Sequence, residues 1–361
     1  MHLINPDYPR SSLIKSVLLE GEKGHWGTGD MWPITWADDG NLYGGAGDNS
    51  GSPMNFWRIE GTPPGVKMTE VDNLPVDPKK YCRPPSHPKN GVKPAGLLHL
   101  DGLLYFAVEA MNYGDNPTFN RQRNIHGWII TSEDYGRTWD MTATPVDFFA
   151  GRLSSAHFLQ FGKSYEGARD EFVYAYFPGG DDGGSYWCNG DFILLGRVPR
   201  DKILERDKWE FLNGIDPGNR AVWGRDEGKA QPVFRYPSMT GENHVSYNPG
   251  IKRYLMGNYS FFNRVAPDGY AGEEGKRPRP FHQCRPFSEF PSQLVLFEAP
   301  EPWGPWSWFH RDDNWGCWGG YQPSFPTKWM SRDGREIDMA YSAFRGEYNL
   351  SAQRLILELA E

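Results

Sequence analysis

The sequence predicts an all-β fold, a five-bladed β-propeller with four-stranded blades, formed as a single domain by residues 1–361. Turn-forming residues are abundant, with 42 glycines and 30 prolines, and segments of helical periodicity are almost absent. Short apolar runs bounded by Gly, Pro, Asn and Asp recur along the chain, as is typical of strands and hairpins. One hairpin pattern occurs five times, at intervals of roughly 60–85 residues, and such a repeat predicts a propeller with few exposed sheet edges. A pair of β-sandwiches is the alternative fold.

Five hairpins mark the innermost strand pair of each blade. They cover residues 32–46, 94–108, 157–176, 244–258 and 326–341. In the first, second and fifth, an Asp-Gly pair joins two apolar strands, which is the strongest short-range hairpin signal. Looser copies turn at residues 162–171 and 248–250.

Further strands complete the predicted blades. Apolar runs that follow the second, third and fourth hairpins, at 127–131, 191–198 and 294–297, predict outer strands. Residues 13–19 and 354–359 are predicted to close one blade from both chain ends. The best helical spacing lies at 201–211, where we expect one or two helical turns or an edge connection.

Composition and charge exclude several classes of protein. The formal charge is −8 and no basic block is present, so we expect no nucleic-acid partner. No apolar run approaches the ~18 residues needed to cross a bilayer, so we expect no membrane partner. An aromatic content of 15% argues against a disordered chain.

The cysteines and the first residues bear on metals and location. Four widely spaced cysteines without a C-x-x-C pair predict buried thiols rather than a zinc or redox site. The first six residues lack the charged and apolar regions of a signal peptide, so the chain as written is expected in the cytoplasm, or outside the cell if a leader was removed. We expect a monomer that requires no cofactor, although carboxylates and carbonyls in the channel could hold a structural calcium ion.

One local motif supports the fold. Residues 132–139 read SEDYGRTW and resemble the S-x-D-x-G-x-T-W "Asp box" of sialidase-like propellers. In that motif the role is structural: Asp134 caps a turn, Gly136 takes a conformation closed to other residues, and Trp139 anchors the hairpin in the sheet. The motif says nothing about a substrate.

Two aspartates are the candidate catalytic residues. In a propeller, residues just before the first strand and just after the second line the mouth of the central channel. In the first hairpin these residues are Asp30 and Asp48, which the Asp39-Gly40 turn brings opposite one another. Paired carboxylates beside a cleft are what glycoside hydrolysis needs, one as the acid and the other as the base or nucleophile. The competing interpretation is that each aspartate caps a glycine-rich loop.

Other polar and aromatic residues are expected at or near the mouth as substrate-binding residues. The corresponding positions of the other four blades are Lys93, His157, His244 and Lys328, with Tyr176 and Tyr341 on returning strands. His25 and Trp32 lie near the first mouth position and are expected to bond to or stack on a sugar. A lone histidine in a β-protein is more often structural, but polar residues at matching positions in four blades favour a functional ring.

Several phrases resemble a known family. They are GDMWPITWADDGNLYGGAGD (29–48), DFILLGRVPRDKI (191–203), YNPGIKRYL (247–255), FEAPEPWGPW (297–306) and SFPTKW followed by S-x-DG (324–334). They resemble a family of five-bladed propellers, formerly of unknown function, that includes bacterial endo-D-arabinanases. In those enzymes two aspartates 18 residues apart in the first hairpin carry the chemistry, and Asp30 and Asp48 match that spacing. The resemblance implies a glycoside hydrolase, with a furanoside such as arabinan as the leading substrate.

Two other functional classes stay open. A polysaccharide lyase acting on a uronate-containing glycan would use a His or Tyr base together with Lys or Arg. His157, His244, Tyr176, Lys93, Lys328 and Arg121 are the candidates for those roles. A non-catalytic carbohydrate-binding propeller would account for the 15 tryptophans. Sialidase activity is disfavoured, because the expected five blades are one fewer than sialidases have.

Overall fold

The computed structural model describes residues 7–49, 52–74, 90–112, 123–261, 292–315, 320–344 and 347–361. These residues form five antiparallel sheets arranged as a five-bladed β-propeller, which confirms the predicted fold. The strands are β1 (Ile14–Trp26), β2 (Asp30–Trp36), β3 (Leu42–Asn49), β4 (Ser52–Glu60), β5 (Lys67–Leu74), β6 (Asn90–Leu100), β7 (Leu103–Asn112), β8 (Arg123–Ser132), β9 (Phe149–Ala150), β10 (His157–Phe158), β11 (Phe172–Gly179), β12 (Ser185–Tyr186), β13 (Gly190–Pro199), β14 (Glu210–Ile215), β15 (Ala221–Gly224), β16 (Phe234–Thr240), β17 (Val245–Asn248), β18 (Arg253–Phe261), β19 (Ser292–Ala299), β20 (Ser307–Trp315), β21 (Tyr321–Ser324), β22 (Glu336–Phe344) and β23 (Glu347–Leu359).

Helical structure in the described chain is limited to single 3-10 turns. They lie at Gly151–Leu153, Lys163–Tyr165, Arg206–Lys208, Glu227–Lys229 and Thr327–Trp329. The segment 201–211 therefore contains one short turn, followed by strand β14. No helix among the described residues is long and apolar enough to span a membrane.

The blades follow one another along the chain. From the axis outward, blade 1 is β2-β3-β4-β5, blade 4 is β17-β18-β19-β20, and blade 5 is β21-β22-β23-β1. Blade 2 is built on β6-β7-β8, and both β9 and β12 pair with β8. Blade 3 is built on β10-β11-β13-β14, with β15 and β16 added at its outer side. Because β1 pairs with β23, the two chain ends close blade 5, as predicted.

Four of the five predicted hairpins are the inner strand pairs of their blades, and the fifth is so in its second strand alone. The Asp-Gly turns have the expected left-handed glycines, with φ of +86° at Gly40, +80° at Gly102 and +73° at Gly334. The fifth inner strand differs from the prediction, because β21 ends at Ser324 and a 3-10 turn separates it from β22. This difference decides where Lys328 lies.

Neighbouring blades pack closely through apolar faces. At the boundary of blades 2 and 3, a Cβ atom added to Gly96 would lie 2.3 Å from the backbone oxygen of Ala156. Only glycine fits that approach, since a real Cβ atom would overlap the neighbouring backbone. The one cysteine among the described residues, Cys188, is buried and free. The other three cysteines lie outside the described residues.

The segment 132–139 forms a hydrogen-bonded turn after β8. Asp134 accepts hydrogen bonds from the Thr138 amide at 2.8 Å and from the Ser132 hydroxyl at 2.9 Å. The Trp139 indole donates to the Gly136 carbonyl at 3.0 Å, and its ring packs edge-on against Phe56 of blade 1 at 4.9 Å. The turn therefore ties blade 2 to blade 1.

Hydrogen bonds also link the inner strands of different blades to one another. The Gln160 amide donates to the Val245 carbonyl at 3.0 Å, and the Tyr247 amide donates to the Gln160 carbonyl at 2.9 Å. Thr35 donates through its hydroxyl to the Gln160 side chain at 3.0 Å and accepts from the His99 amide at 3.0 Å. These bonds connect residues at the inner strands of blades 1, 2, 3 and 4.

Candidate active site

Asp30 and Asp48 lie together at the mouth end of blade 1, but they are not direct register partners. Asp30 opposes Gly47, because an irregularity between Met31 and Ile34 shifts the pairing by one residue. Asp48 has a left-handed backbone with φ of +51°. The predicted opposition of the two aspartates is therefore wrong by one position.

Lys93 brings the two carboxylates together. Its Nζ atom is 3.5 Å from Asp30 Oδ1 and makes a closer ion pair with Asp48 Oδ1. The two oxygen atoms that contact this nitrogen lie within about 6 Å of each other. Gly47 allows this approach, because a Cβ atom there would lie 2.7 Å from Asp30 Oδ1. The ends of these strands thus place two carboxyl groups beside one lysine.

The two aspartates occupy different environments. The Asp30 side chain is 8% exposed, whereas that of Asp48 is 39% exposed. Asp30 also accepts a hydrogen bond from the Tyr321 hydroxyl at 2.9 Å. Burial raises the pKa of Asp30, the positive charge of Lys93 lowers it, and the negative charge of Asp48 raises it. Unequal environments for two neighbouring acids favour different protonation states.

A second pair of acids, Glu109 and Glu242, lies beside this group, and both are fully buried. Glu109 is the register partner of Lys93 across the β6–β7 hairpin. Gln322, which follows Tyr321 in the chain, donates through its side-chain amide to Glu242 Oε2. Consecutive residues of one strand therefore join Asp30 to Glu242.

Sequence reasoning missed both glutamates, although a signal for each exists. Counting outward from the Asp101-Gly102 turn places Glu109 opposite Lys93. Counting from the first turn placed Asp48 near Asp30 in the same way. Glu242 directly precedes Asn243 and His244, at the mouth position of blade 4. A search for carboxylates at all mouth positions would have found them.

Two predicted histidines lie at this site. The rings of His157 and His244 meet edge to face with centroids 5.0 Å apart. Burial lowers the pKa of His244 to about 4, and burial together with His244 lowers the pKa of His157 well below 6.5. His157 Nε2 contacts the Ser155 hydroxyl at 2.7 Å. Both rings are therefore neutral at physiological pH.

Aromatic side chains adjoin the acids. The Trp187 ring lies edge-on to the Tyr321 ring, with centroids 5.7 Å apart. The backbone carbonyl of Trp187 accepts a hydrogen bond from the Glu242 amide at 3.0 Å. Trp187 is 8% exposed and Tyr321 is 6% exposed, so both residues are almost fully buried. Neither residue was predicted as part of the site.

Lys328 lies away from the mouth. It belongs to the 3-10 turn after β21, and its Nζ atom donates to the Gly40 carbonyl at 2.7 Å. Gly40 is in the turn at the other end of the first hairpin. The expected mouth position is therefore wrong for Lys328, because the inner strand of blade 5 starts at Tyr321 instead.

Three predicted aromatic residues are buried between blades. Tyr176 is on the second strand of blade 3, and its hydroxyl donates to the Pro302 carbonyl at 2.8 Å. Tyr341 packs against Trp315 with ring centroids 4.9 Å apart. Trp32 is 1% exposed and belongs to a core cluster between blades 1 and 5. Their predicted mouth positions are corrected, because each faces a neighbouring blade rather than the central depression.

His25 does not lie with the acids. His25 is exposed near the end of the outermost strand of blade 5, with its Nδ1 atom 3.2 Å from the Asn349 side-chain nitrogen. Arg121 lies outside the described residues. Of the predicted site residues, the structure thus brings together Asp30, Asp48, Lys93, His157 and His244.

The acidic and histidine side chains near the mouth were also considered as metal ligands. No group of three or more His, Cys, Asp or Glu side chains is arranged to hold a metal ion in the described part of the chain. The carboxylates instead face Lys93 or one another. Backbone carbonyls are further ligands for calcium, so a structural calcium ion stays a prediction.

The fold is similar to that of several solved structures. No protein-family model matches the chain, and neither does any curated protein. A Bacteroides ovatus protein provisionally named a hydrolase is similar with a TM-score of 0.51 and 12% identity, over 93% of this chain and 87% of that one. Xylan β-1,4-xylosidase from Bacillus halodurans gives 0.50 and 10%, over 99% of this chain and 54% of that one. The GH43_1 enzyme from Xanthomonas citri complexed with xylose gives 0.50 and 12%, over 93% and 91%. At these identities the likeness shows a shared fold.

Proposed function

We propose that this protein is a carbohydrate-active enzyme, a glycoside hydrolase whose acid–base chemistry is carried by Asp30 and Asp48. The observation that carries the proposal is the sharing of Lys93 by one buried and one exposed carboxylate at the propeller mouth. Glycoside hydrolysis requires two carboxyl groups in different protonation states on either side of the bond that breaks. Burial of Asp30 and exposure of Asp48 supply that difference.

The environments assign a role to each aspartate. Asp30, whose pKa is raised by burial, is proposed as the general acid that protonates the leaving glycosidic oxygen. Asp48, more exposed and closely paired with Lys93, is proposed as the carboxylate that takes a proton from the attacking water or attacks the anomeric carbon itself. The water supplies the hydroxyl that replaces the leaving sugar, so protons and bonds balance.

The substrate proposed first is a furanoside such as arabinan, because the first-hairpin phrase and its two aspartates resemble those of endo-D-arabinanases. Two of the similar solved structures are a xylan β-1,4-xylosidase and a GH43_1 enzyme complexed with xylose. Their names fit a propeller that acts on carbohydrate. They do not select among sugars for this chain.

The geometry favours hydrolysis over the lyase alternative. A lyase needs a base that reaches the sugar, but the Tyr176 hydroxyl is bound to Pro302 between blades, and His157 is fully buried. His244, 7% exposed, is the remaining base candidate of that scheme. A non-catalytic binding propeller would have no need to bury an aspartate beside a lysine at the mouth, since such burial costs free energy.

Product analysis tests the proposal. The protein is incubated with a panel of furanoside and uronate oligosaccharides, and the products are separated and examined by NMR. We expect new reducing ends without an unsaturated sugar, and the anomeric form of the first product reports retention or inversion. A product that absorbs in the near ultraviolet would indicate elimination and overturn the hydrolase proposal. Binding without turnover across the panel would favour the binding propeller.

A further inference from the structure

The buried glutamate pair beside Lys93 has an unequal supply of hydrogen-bond donors. Glu242 Oε1 accepts from Asn124 at 3.1 Å and from the Ser155 hydroxyl at 3.1 Å, and Glu242 Oε2 accepts from Gln322. Neither oxygen of Glu109 receives an N–H donor from any described residue. Three donors suit an ionised carboxylate at position 242, whereas a carboxyl without N–H donors is poorly suited to carry charge.

Glu109 and Glu242 are both fully buried, and negative charges on the two carboxyl groups would repel each other at close range. Two carboxylates in contact away from water cannot both be ionised, so the pair holds a proton. A protonated Glu109 would donate its O–H to the Glu242 carboxylate. This arrangement satisfies the hydrogen bonds of both side chains, whereas a proton on Glu242 would leave Glu109 charged and without N–H donors.

The position of Glu109 connects this proton to the mouth. Glu109 and Lys93 are register partners on β7 and β6, and side chains of such partners lie next to each other on one face of the sheet. An ionised Glu109 would attract the Lys93 ammonium away from Asp30 and Asp48. A neutral Glu109 leaves the ammonium to the two aspartates.

We propose that Glu109 carries the proton of a proton-sharing carboxyl pair with Glu242, and that this neutral carboxyl is a positioning residue that keeps Lys93 on Asp30 and Asp48. The assignment of the proton to Glu109 does not depend on the proposed function. The positioning role rests on the proposed function of the two aspartates.

The other titratable groups around the pair agree with this placement. Glu109 faces Lys93 of β6 and also Glu242, which lies in the segment just before β17. His157 of β10 has its Nε2 atom 3.9 Å from Glu242 Oε1, and His244 of β17 contacts the His157 ring. Because burial keeps both imidazoles neutral, neither supplies a positive charge to the pair. Lys93 is then the cation nearest to Glu109, and the aspartates already hold it.

Infrared spectroscopy at pH 8 locates the proton in the full-length protein. Labelling the side-chain carboxyl of glutamate with ¹³C shifts the C=O stretching band of a protonated glutamic acid and leaves the band of any protonated aspartic acid in place. We expect the labelled wild type to show a shifted band of a protonated glutamic acid. We expect this band to be absent from the labelled Glu109→Gln variant. Absence of the band from the wild type, or its persistence in Glu109→Gln, would overturn the proton placement.

A comparison of matched variants supports the test if spectra are weak. Glu109→Gln keeps a neutral donor toward Glu242, whereas Glu242→Gln replaces the carboxylate that accepts three hydrogen bonds. We therefore expect Glu242→Gln to lower the melting temperature more than Glu109→Gln, and the reverse order would overturn the placement.

The positioning role has a separate readout. In the wild type, ionisation of Glu109 at high pH should draw Lys93 away and lower turnover in addition to the loss of the Asp30 proton, so Glu109→Gln should make the alkaline limb of the pH–rate profile less steep. An unchanged steepness would overturn the positioning role. Failure to find a glycan substrate would count against the proposed function, whereas the infrared result would still decide the proton placement.

Discussion

Replacement of Lys93 by methionine tests the charge balance of the mouth. Lys93 and Asp30 have side chains 3% and 8% exposed, whereas Asp48 is 39% exposed. The main cost therefore comes from Asp30, and removal of one partner of a buried ion pair costs about 3–5 kcal/mol. In the variant, Asp30 can instead bind a proton and become neutral. Protonation costs about 1.4 kcal/mol for each unit by which the pH exceeds the ordinary pKa of the carboxyl group. We expect a loss of about 3–5 kcal/mol at pH 8 and of about 2 kcal/mol at pH 5.

Urea unfolding at the two pH values measures this difference. The matched control is Lys328→Met, which removes a partly buried lysine that donates to the Gly40 carbonyl and has no ion pair among the described residues. It should cost about 1 kcal/mol at both pH values. The reasoning is refuted if Lys93→Met costs the same at pH 5 and pH 8, or no more than the control.

Two further predictions concern protonation. Burial lowers the pKa of His244 to about 4 from 6.5, so the folded protein binds fewer protons than the unfolded chain between these values, and stability should fall as pH drops through this window. His244→Gln should reduce that slope by up to about 1.4 kcal/mol per pH unit in urea titrations, and an unchanged slope would contradict the burial argument. Tyr321→Phe removes the 2.9 Å hydrogen bond to Asp30, which should cost about 1.5–3 kcal/mol. Because that bond lowers the pKa of Asp30, the alkaline limb of turnover should also move to higher pH, and an unmoved limb would exclude Asp30 as the acid.

The propeller could be predicted from the sequence because its signals are local. Asp-Gly turns between short apolar runs fix a hairpin without information from distant residues, and their repetition along the chain predicts the closed fold. The register at the mouth could not be predicted in the same way. Met31 and Trp32 adopt left-handed φ values of +80° and +47°, and neither residue type signals that conformation in a sequence.

The candidate site was predicted in part for a related reason. Counting residues along a hairpin predicts which of them lie near the mouth. It does not predict which face of the blade each side chain lies on. Tyr176 is the register partner of His157, yet it lies one strand farther from the axis and packs toward blade 4 at Pro302. Glu109 was missed because it interrupts an otherwise apolar strand. The contacts that make it significant come from Glu242, far away in the sequence.

The most direct test of the central claim is the turnover of Asp30→Asn and Asp48→Asn on a glycan that the wild type cleaves. Each substitution keeps the shape of the side chain and removes its ionisable group, so each should lower turnover by about 10²-fold or more. Asp39→Asn is the matched control, since Asp39 lies in the turn of the same hairpin and binds Asn41 and Tyr43. Melting temperatures measured in parallel should change little for Asp48→Asn, because that side chain is the more exposed of the two. Near-normal turnover in either mouth variant, with lost stability, would mean that the aspartates cap loops and would contradict the account.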